Sequence, residues 1–247
     1  MPKTVLMPLP DRDFDVTEVA VPWKLLSEAG HRIVFATEQG AAARCDPLLL
    51  TGVVFGQLGA KPEPARFYAE LVASGQLDAP TPWAAIKPET VDALLLPGGH
   101  AQGMRQYLGS NRLQEVVAAI WERNVPVAAI CHGVLVLART RLPSTGKSAL
   151  YEMRTTCLPD YMERLAYWST AWKHGRYYRT YPAYVGSEVR GALHDPKRQF
   201  QRGPITLFTH GKRHDDAAAF VVEDGRYVSA RWPGDAYLFA KKLLARL

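Results

Sequence analysis

A chain of 247 residues, 47% hydrophobic and 22% charged, has room for one large domain or two small ones and the composition of a globular protein. Its three cysteines, Cys45, Cys131 and Cys157, are too few and too scattered for a disulfide framework, and none belongs to the C-x-x-C pair that structural zinc would use. The net charge of +6 divides unevenly, with 11 Lys/Arg against 14 Asp/Glu over 1–125 and 19 against 10 over 126–247, but the basic residues come in ones and twos. That pattern argues against nucleic acid as a partner and leaves attraction of small anions.

The N-terminal MPKTVLMPLPDRDFD lacks the apolar core and cleavage site of a signal peptide, and no stretch approaches the roughly 18 uninterrupted apolar residues of a membrane span. A cytoplasmic protein with reduced thiols and no membrane partner is expected. Thr4–Pro8 predicts the first strand. Thr17 as cap, Glu18 in the first turn and the apolar face of Val19, Leu25, Leu26 and Ala29 predict a helix that Gly30 stops. Further strands are predicted at Arg32–Ala36, Val91–Leu96 and Val125–Ile130, the last apolar enough to be covered on both faces. Leu113–Arg123 reads as an amphipathic helix, and Gly133–Arg139 turns helical again. Ala219–Glu223 and Arg226–Arg231 flank Asp224-Gly225 as a hairpin, and a helix from about Asp235 to Leu247 closes the chain.

Strands alternating with helices imply an α/β fold, a doubly wound, mainly parallel sheet with helices on both faces. We expect a single domain over 1–247. Two irregular insertions depart from the rhythm, one near 40–90 with a helix around Arg66–Ala73, the other near 165–215 and rich in Trp, Tyr and Arg.

Function in such sheets collects where strands end at their carboxyl edge. One strand end reads Ala129-Ile130-Cys131-His132-Gly133, a buried strand running straight into a helix with one polar pair at the junction. A sharp turn there lifts a nucleophile out of the sheet, Gly133 lets the backbone pass closely beneath, and the helix N-terminus favours thiolate over thiol. Cys45 and Cys157 have no such setting and read as core cysteines. A second strand end reads Leu96-Pro97-Gly98-Gly99-His100, where Gly98 and Gly99 can turn their amides toward a developing oxyanion.

With these motifs the chain resembles the ThiJ/PfpI superfamily, whose fold is that of the class I glutamine amidotransferases, and most closely its heat-shock chaperone and glyoxalase III branch. The resemblance implies Cys131, His132, Glu18 and Glu163 as catalytic residues, with Gly98, Gly99, His100 and Gly133 at the oxyanion and binding positions. Glu18 would hydrogen-bond the cysteine. Glu163, or Asp160 in its place within Thr156-Cys157-Leu158-Pro159-Asp160, would orient His132. No cofactor and no metal are implied, and a homodimer is. The chain departs from that branch in Ala101-Gln102-Gly103-Met104-Arg105, where Gly and a nearby Asp are usual, and in the stretch Trp168–Tyr184.

The expected activity is cofactor-independent conversion of a small reactive carbonyl, methylglyoxal to lactate in the glyoxalase III pattern, or a related cysteine hydrolysis. Three alternatives stand beside it. A holding chaperone would use the aromatic 165–184 stretch, a redox sensor would oxidise the same thiol, and an amidotransferase-like amidase would need a downstream His-x-Glu, for which His214-Asp215-Asp216 is the nearest match.

Overall fold

The computed structural model describes residues 1–54, 59–206 and 209–247. Residues 55–58 and 207–208, which belong to the two stretches expected to break the strand–helix rhythm, lie outside the described residues. The strands are β1 (Thr4–Pro8), β2 (Arg32–Thr37), β3 (Thr81–Pro82), β4 (Ala93–Leu96), β5 (Val127–Ile130), β6 (Val221–Asp224) and β7 (Tyr227–Ala230). They form one sheet in the order β3-β2-β1-β4-β5-β7-β6, parallel throughout except for the β6–β7 pair. Both β4 and β5 are buried along their whole length, which is why they read as continuous apolar runs. The sheet is the expected doubly wound α/β arrangement.

The helices are α1 (Val16–Glu28), α2 (Leu48–Thr51), α3 (Pro62–Ala73), α4 (Met104–Leu108), α5 (Asn111–Glu122), α6 (Val134–Arg139), α7 (Asp160–His174), α8 (Val185–Gly191), α9 (Pro196–Gln199) and α10 (Ala236–Leu244). One layer packs α1 against α3 and α10, and a second packs α6 against α4, α5 and α8. Because β1, β4, β5 and β7 run parallel, their carboxyl ends open on one edge of the sheet, and β1 sits where the winding reverses.

Three local expectations need correction. Asp15, not Thr17, caps α1: its Oδ1 accepts from the amides of Thr17 at 2.7 Å and Glu18 at 3.0 Å, because Asp15 directly precedes the helix whereas Thr17 already lies within it. The hairpin turn is shifted by one residue, since Asp224 pairs with Tyr227 and the loop is Gly225-Arg226, with Gly225 taking the positive φ of 56° that the first turn position demands. The irregular 165–215 stretch begins inside a full helix, α7, stopped by Gly175 at φ 58°.

Candidate active site

Ile130 ends β5 in an extended conformation, and a single 3-10 turn, Cys131–Gly133, leads into α6. Cys131 sits at φ 57°, the left-handed region that costs a non-glycine residue roughly 1–2 kcal/mol. The turn closes tightly over the end of β4. A side chain at Gly133 would collide with the carbonyl oxygen of Leu96 and stand 2.6 Å from that of Pro97. Sheet and helix therefore meet at a strained elbow with the thiol at its apex.

Glu18 lies in the first turn of α1 and is fully buried. Its Oε2 accepts from Gly98 N at 2.7 Å, while Asp15 N donates to Gly98 O at 2.9 Å, so α1 is clasped to the turn after β4. A Cβ on Gly98 would fall 2.7 Å from Glu18 Oε2 and 2.9 Å from Cys131 Cβ; the bare glycine is what lets carboxyl and thiol meet. The Gly98 amide, expected to serve an oxyanion, is thus occupied by Glu18. Burial, then the charge of Asp15, raises the Glu18 carboxyl well above the carboxylate range. Its Oε1 is buried without a conventional hydrogen-bond partner, and the carboxyl interacts with the Cys131 thiol.

The thiol is not depressed as the helix N-terminus led us to expect. Burial first, then the charges of Glu18 and Asp15, pushes Cys131 well above the ordinary thiol value, opposed by the His132 N–H. Desolvation outweighs the dipole because α6 has only six residues and starts one 3-10 turn later. Cys45 and Cys157 are buried thiols also raised by desolvation, Cys45 to about 11.

His132 Nδ1 stands 3.5 Å from Cys131 Sγ, and burial holds the imidazole well below its usual value, so it is neutral. Its Nε2 faces Thr180 Oγ1 at 3.5 Å, and that hydroxyl donates to the His100 carbonyl at 2.7 Å. Glu163 comes near, its carboxylate within 4.8 Å of the ring nitrogens of His100 and His132. Its hydrogen bonds go elsewhere: Oε1 accepts from Arg179 at 3.2 Å and Oε2 from Val185 N at 2.9 Å. The Arg179 guanidinium on Glu163 already supplies a positive charge beside the place where a cation would sit among His100, His132 and Glu163. Asp160, the substitute for Glu163, is taken by Arg190 at 2.7 Å and Ser187 at 3.2 Å. The His214 segment lies apart, with His214 exposed and Asp216 paired to Lys241 at 2.6 Å.

Cys131, Glu18, Gly99 and His100 open into a cavity of about 500 Å³. Its floor is the strand ends; its walls are α7, the segment around α2, and Trp232-Pro233 after β7. Tyr178 lines it with its ring and donates its hydroxyl to the buried Asp46 at 2.8 Å. Sequence reasoning missed Thr180, Tyr178 and α7. Signals for α7 were present, in Asp160 and Glu163 at one end and Lys173-His174-Gly175 at the other, but the residues it buries, Glu163 and Thr170, are polar and give no apolar core face to read.

Comparison with known proteins follows the same lines. A family model described as ThiJ/PfpI family-like matches residues 9–204. An uncharacterised protein of Schizosaccharomyces pombe is 27% identical over 242 residues, covering 95% of this chain and 80% of that protein. Two solved structures share the fold. Glyoxalase III of Candida albicans has TM-score 0.72 and 19% identity, covering 99% of this chain and 97% of the other, and the rapid encystment protein of Francisella tularensis has TM-score 0.72 and 17% identity, covering 99% and 98%.

Proposed function

The chain belongs to the ThiJ/PfpI-like family, and on that premise we propose that it is a cofactor-independent, cysteine-dependent enzyme acting on reactive carbonyls in the manner of a glyoxalase III. The observation that carries the proposal is the thiol of Cys131 at a positive-φ elbow, with a buried carboxyl on one side, His132 Nδ1 at 3.5 Å on the other, and a cavity above it. Burial that raises both Glu18 and Cys131 keeps them protonated at rest, so the proton must leave as the sulfur attacks.

The Cys131 thiol adds to the aldehyde carbon of a 2-oxoaldehyde. A sulfur–carbon bond forms, and the thiol proton passes through His132 Nδ1 to the carbonyl oxygen, giving a hemithioacetal. A proton then leaves the former aldehyde carbon and returns to its neighbour through an enediol, which oxidises the first carbon and reduces the second. Water cleaves the resulting thioester, releasing a 2-hydroxy acid and the thiol. The net change is one added water, with no outside electron acceptor; methylglyoxal gives lactate. Glu18 hydrogen-bonds the sulfur, Gly99 and His100 flank the substrate oxygens, and Glu163 acts on the site through Arg179 and Val185. A homodimer belongs to the same proposal, by analogy with the family.

The test is methylglyoxal turnover by wild type, Cys131→Ala and Glu163→Gln. Loss of turnover in Cys131→Ala supports the reading, and equal rates in wild type and Cys131→Ala overturn it. A second reading, a holding chaperone, is favoured by one observation: Trp168 and Trp172 of α7 are 71% and 65% exposed, and Leu165 at the cavity is 41% exposed. Suppression of client aggregation that is undiminished by Cys131→Ala and lost in Trp168→Ser would support it.

A further inference from the structure

The cavity above Cys131 is far larger than a three-carbon dicarbonyl requires. Its 500 Å³ lies in the range of sites that engulf drug-sized ligands, about 300–1,000 Å³. What it offers such a ligand is sharply divided. The floor carries the reacting groups and His100, whose Nε2 is buried behind the surface without a hydrogen-bond partner. Burial and the nearby Arg179 lower His100 to about 4, so its ring is neutral.

The wall on the α7 side is mostly hydrocarbon. Leu158, Met162 and Ala166 present hydrocarbon along the α7 side. The polar residues on this side are already engaged: Thr170 Oγ1 donates to Ala166 O at 2.6 Å, Ser169 Oγ donates to the same carbonyl at 3.2 Å, and Tyr178 spends its hydroxyl on Asp46, whereas Lys61, His210 and Trp232 line other parts of the cavity. A wall whose hydroxyl hydrogens are satisfied internally recognises apolar surface and rejects a polar chain, which would be buried there without partners.

We propose that the substrate carries a bulky apolar group beside its reacting carbonyl, and that it is an aryl or medium-chain 2-oxoaldehyde of about ten non-hydrogen atoms, the size this class of cavity encloses. The aldehyde carbon meets Cys131, the second carbonyl oxygen lies by His100, and the apolar body fills the space against α7. The inference rests on the carbonyl reading of Cys131 given above; the size and polarity of the cavity do not.

Initial rates with phenylglyoxal and methylglyoxal test it, with Cys131→Ala as the blank that removes arginine adducts and uncatalysed reaction. The expected kcat/KM for phenylglyoxal is at least about tenfold higher, as a well-fitted apolar group provides. Ala166→Trp, which places an indole in the wall, should lower that ratio about tenfold or more by the same logic. A second measurement needs no turnover: acetophenone should slow iodoacetamide alkylation of Cys131 in wild type, and acetone at the same concentration should not. Equal or preferred use of methylglyoxal overturns the inference while leaving the carbonyl reading intact. Protection by acetophenone without turnover of either aldehyde overturns that reading and supports the apolar site. Absence of both protection and turnover overturns the two together.

Discussion

Thr180 Oγ1 gives its hydrogen to the His100 carbonyl at 2.7 Å and so turns a lone pair toward His132 Nε2, 3.5 Å away. A hydroxyl has one hydrogen to donate, so Nε2 must carry the imidazole hydrogen, and Nδ1 faces Cys131 Sγ with its lone pair. Thr180 is therefore a positioning residue. Thr180→Val, which keeps the shape and removes the acceptor, should lower Cys131-dependent kcat by roughly 10- to 100-fold with little change in KM, and Thr180→Ser should restore it. Steady-state kinetics on the three proteins measure this, and a loss confined to KM would contradict it.

The proximity of Glu18 to Cys131 predicts a pH effect. Loss of the Glu18 proton opposes loss of the thiol proton, because two buried negative charges would then face each other. Glu18→Gln keeps an acceptor for the Gly98 amide and removes that charge. The pH midpoint for iodoacetamide alkylation of Cys131 should fall in the variant, by about one unit or more. A midpoint that rises would show that the carboxyl was favouring the thiolate.

Glu163 supplies a stability measurement. Burial lifts its carboxyl from 4.5 to about 7. The unfolded chain releases this proton from about pH 4.5 upward, whereas the folded chain holds it to about 7. Its contribution is complete below about 4.5 and is lost as pH rises through about 7. Glu163→Gln does not titrate, so the Tm of the variant relative to wild type should rise by roughly 5 °C or more between pH 4.5 and 8. A difference that does not change with pH would contradict the shift.

The parts of this molecule that could be read in its sequence are those fixed by local pattern. β1 lies at its predicted bounds, and the other predicted strands and helices agree to within a few residues, because continuous apolar runs and helical spacing report burial directly. The elbow was legible for the same reason, since the apolar run ending at Ile130 passes directly into the helical pattern after Gly133 and leaves Cys131 at the junction. Three contacts were not legible: Gly98 with Glu18 (80 residues apart), Thr180 with His132 (48 apart) and Tyr178 with Asp46 (132 apart) depend on chain segments meeting at the sheet edge. The balance between burial and dipole at Cys131 was likewise beyond a linear reading, because it depends on how completely the floor is sealed.

Gly133 tests the elbow mechanically. The carbonyls of Leu96 and Pro97 leave no space for a methyl group, and backbone rather than a flexible side chain is what obstructs it. Gly133→Ala should destabilise the protein by about 3 kcal/mol, a fall in Tm of roughly 10 °C by thermal denaturation. A change within about 1 °C would mean that β4 and the turn move apart freely.

Beyond the site, Arg231 and Asp235 form a doubly bonded ion pair with both side chains fully buried, at 2.8 Å for each contact, flanking the Trp232-Pro233 wall. Arg231→Met leaves a sealed carboxylate without its cation and should cost about 3–5 kcal/mol. Arg231→Met combined with Asp235→Asn should recover much of that in chemical denaturation. Equal losses in single and double variants would assign the effect to packing alone.

The two rims of the sheet have a bearing on assembly. One is β3, only two residues long, and the other is β6, four residues long, with Glu223 of that strand bonded to Lys242 and Arg246 of the C-terminal region. Neither presents the long run of unpaired amides and carbonyls that another polypeptide needs to extend a ladder. Self-association through a continued sheet is thereby discouraged, and any second subunit has to be recognised by side chains on the helical layers or the loops.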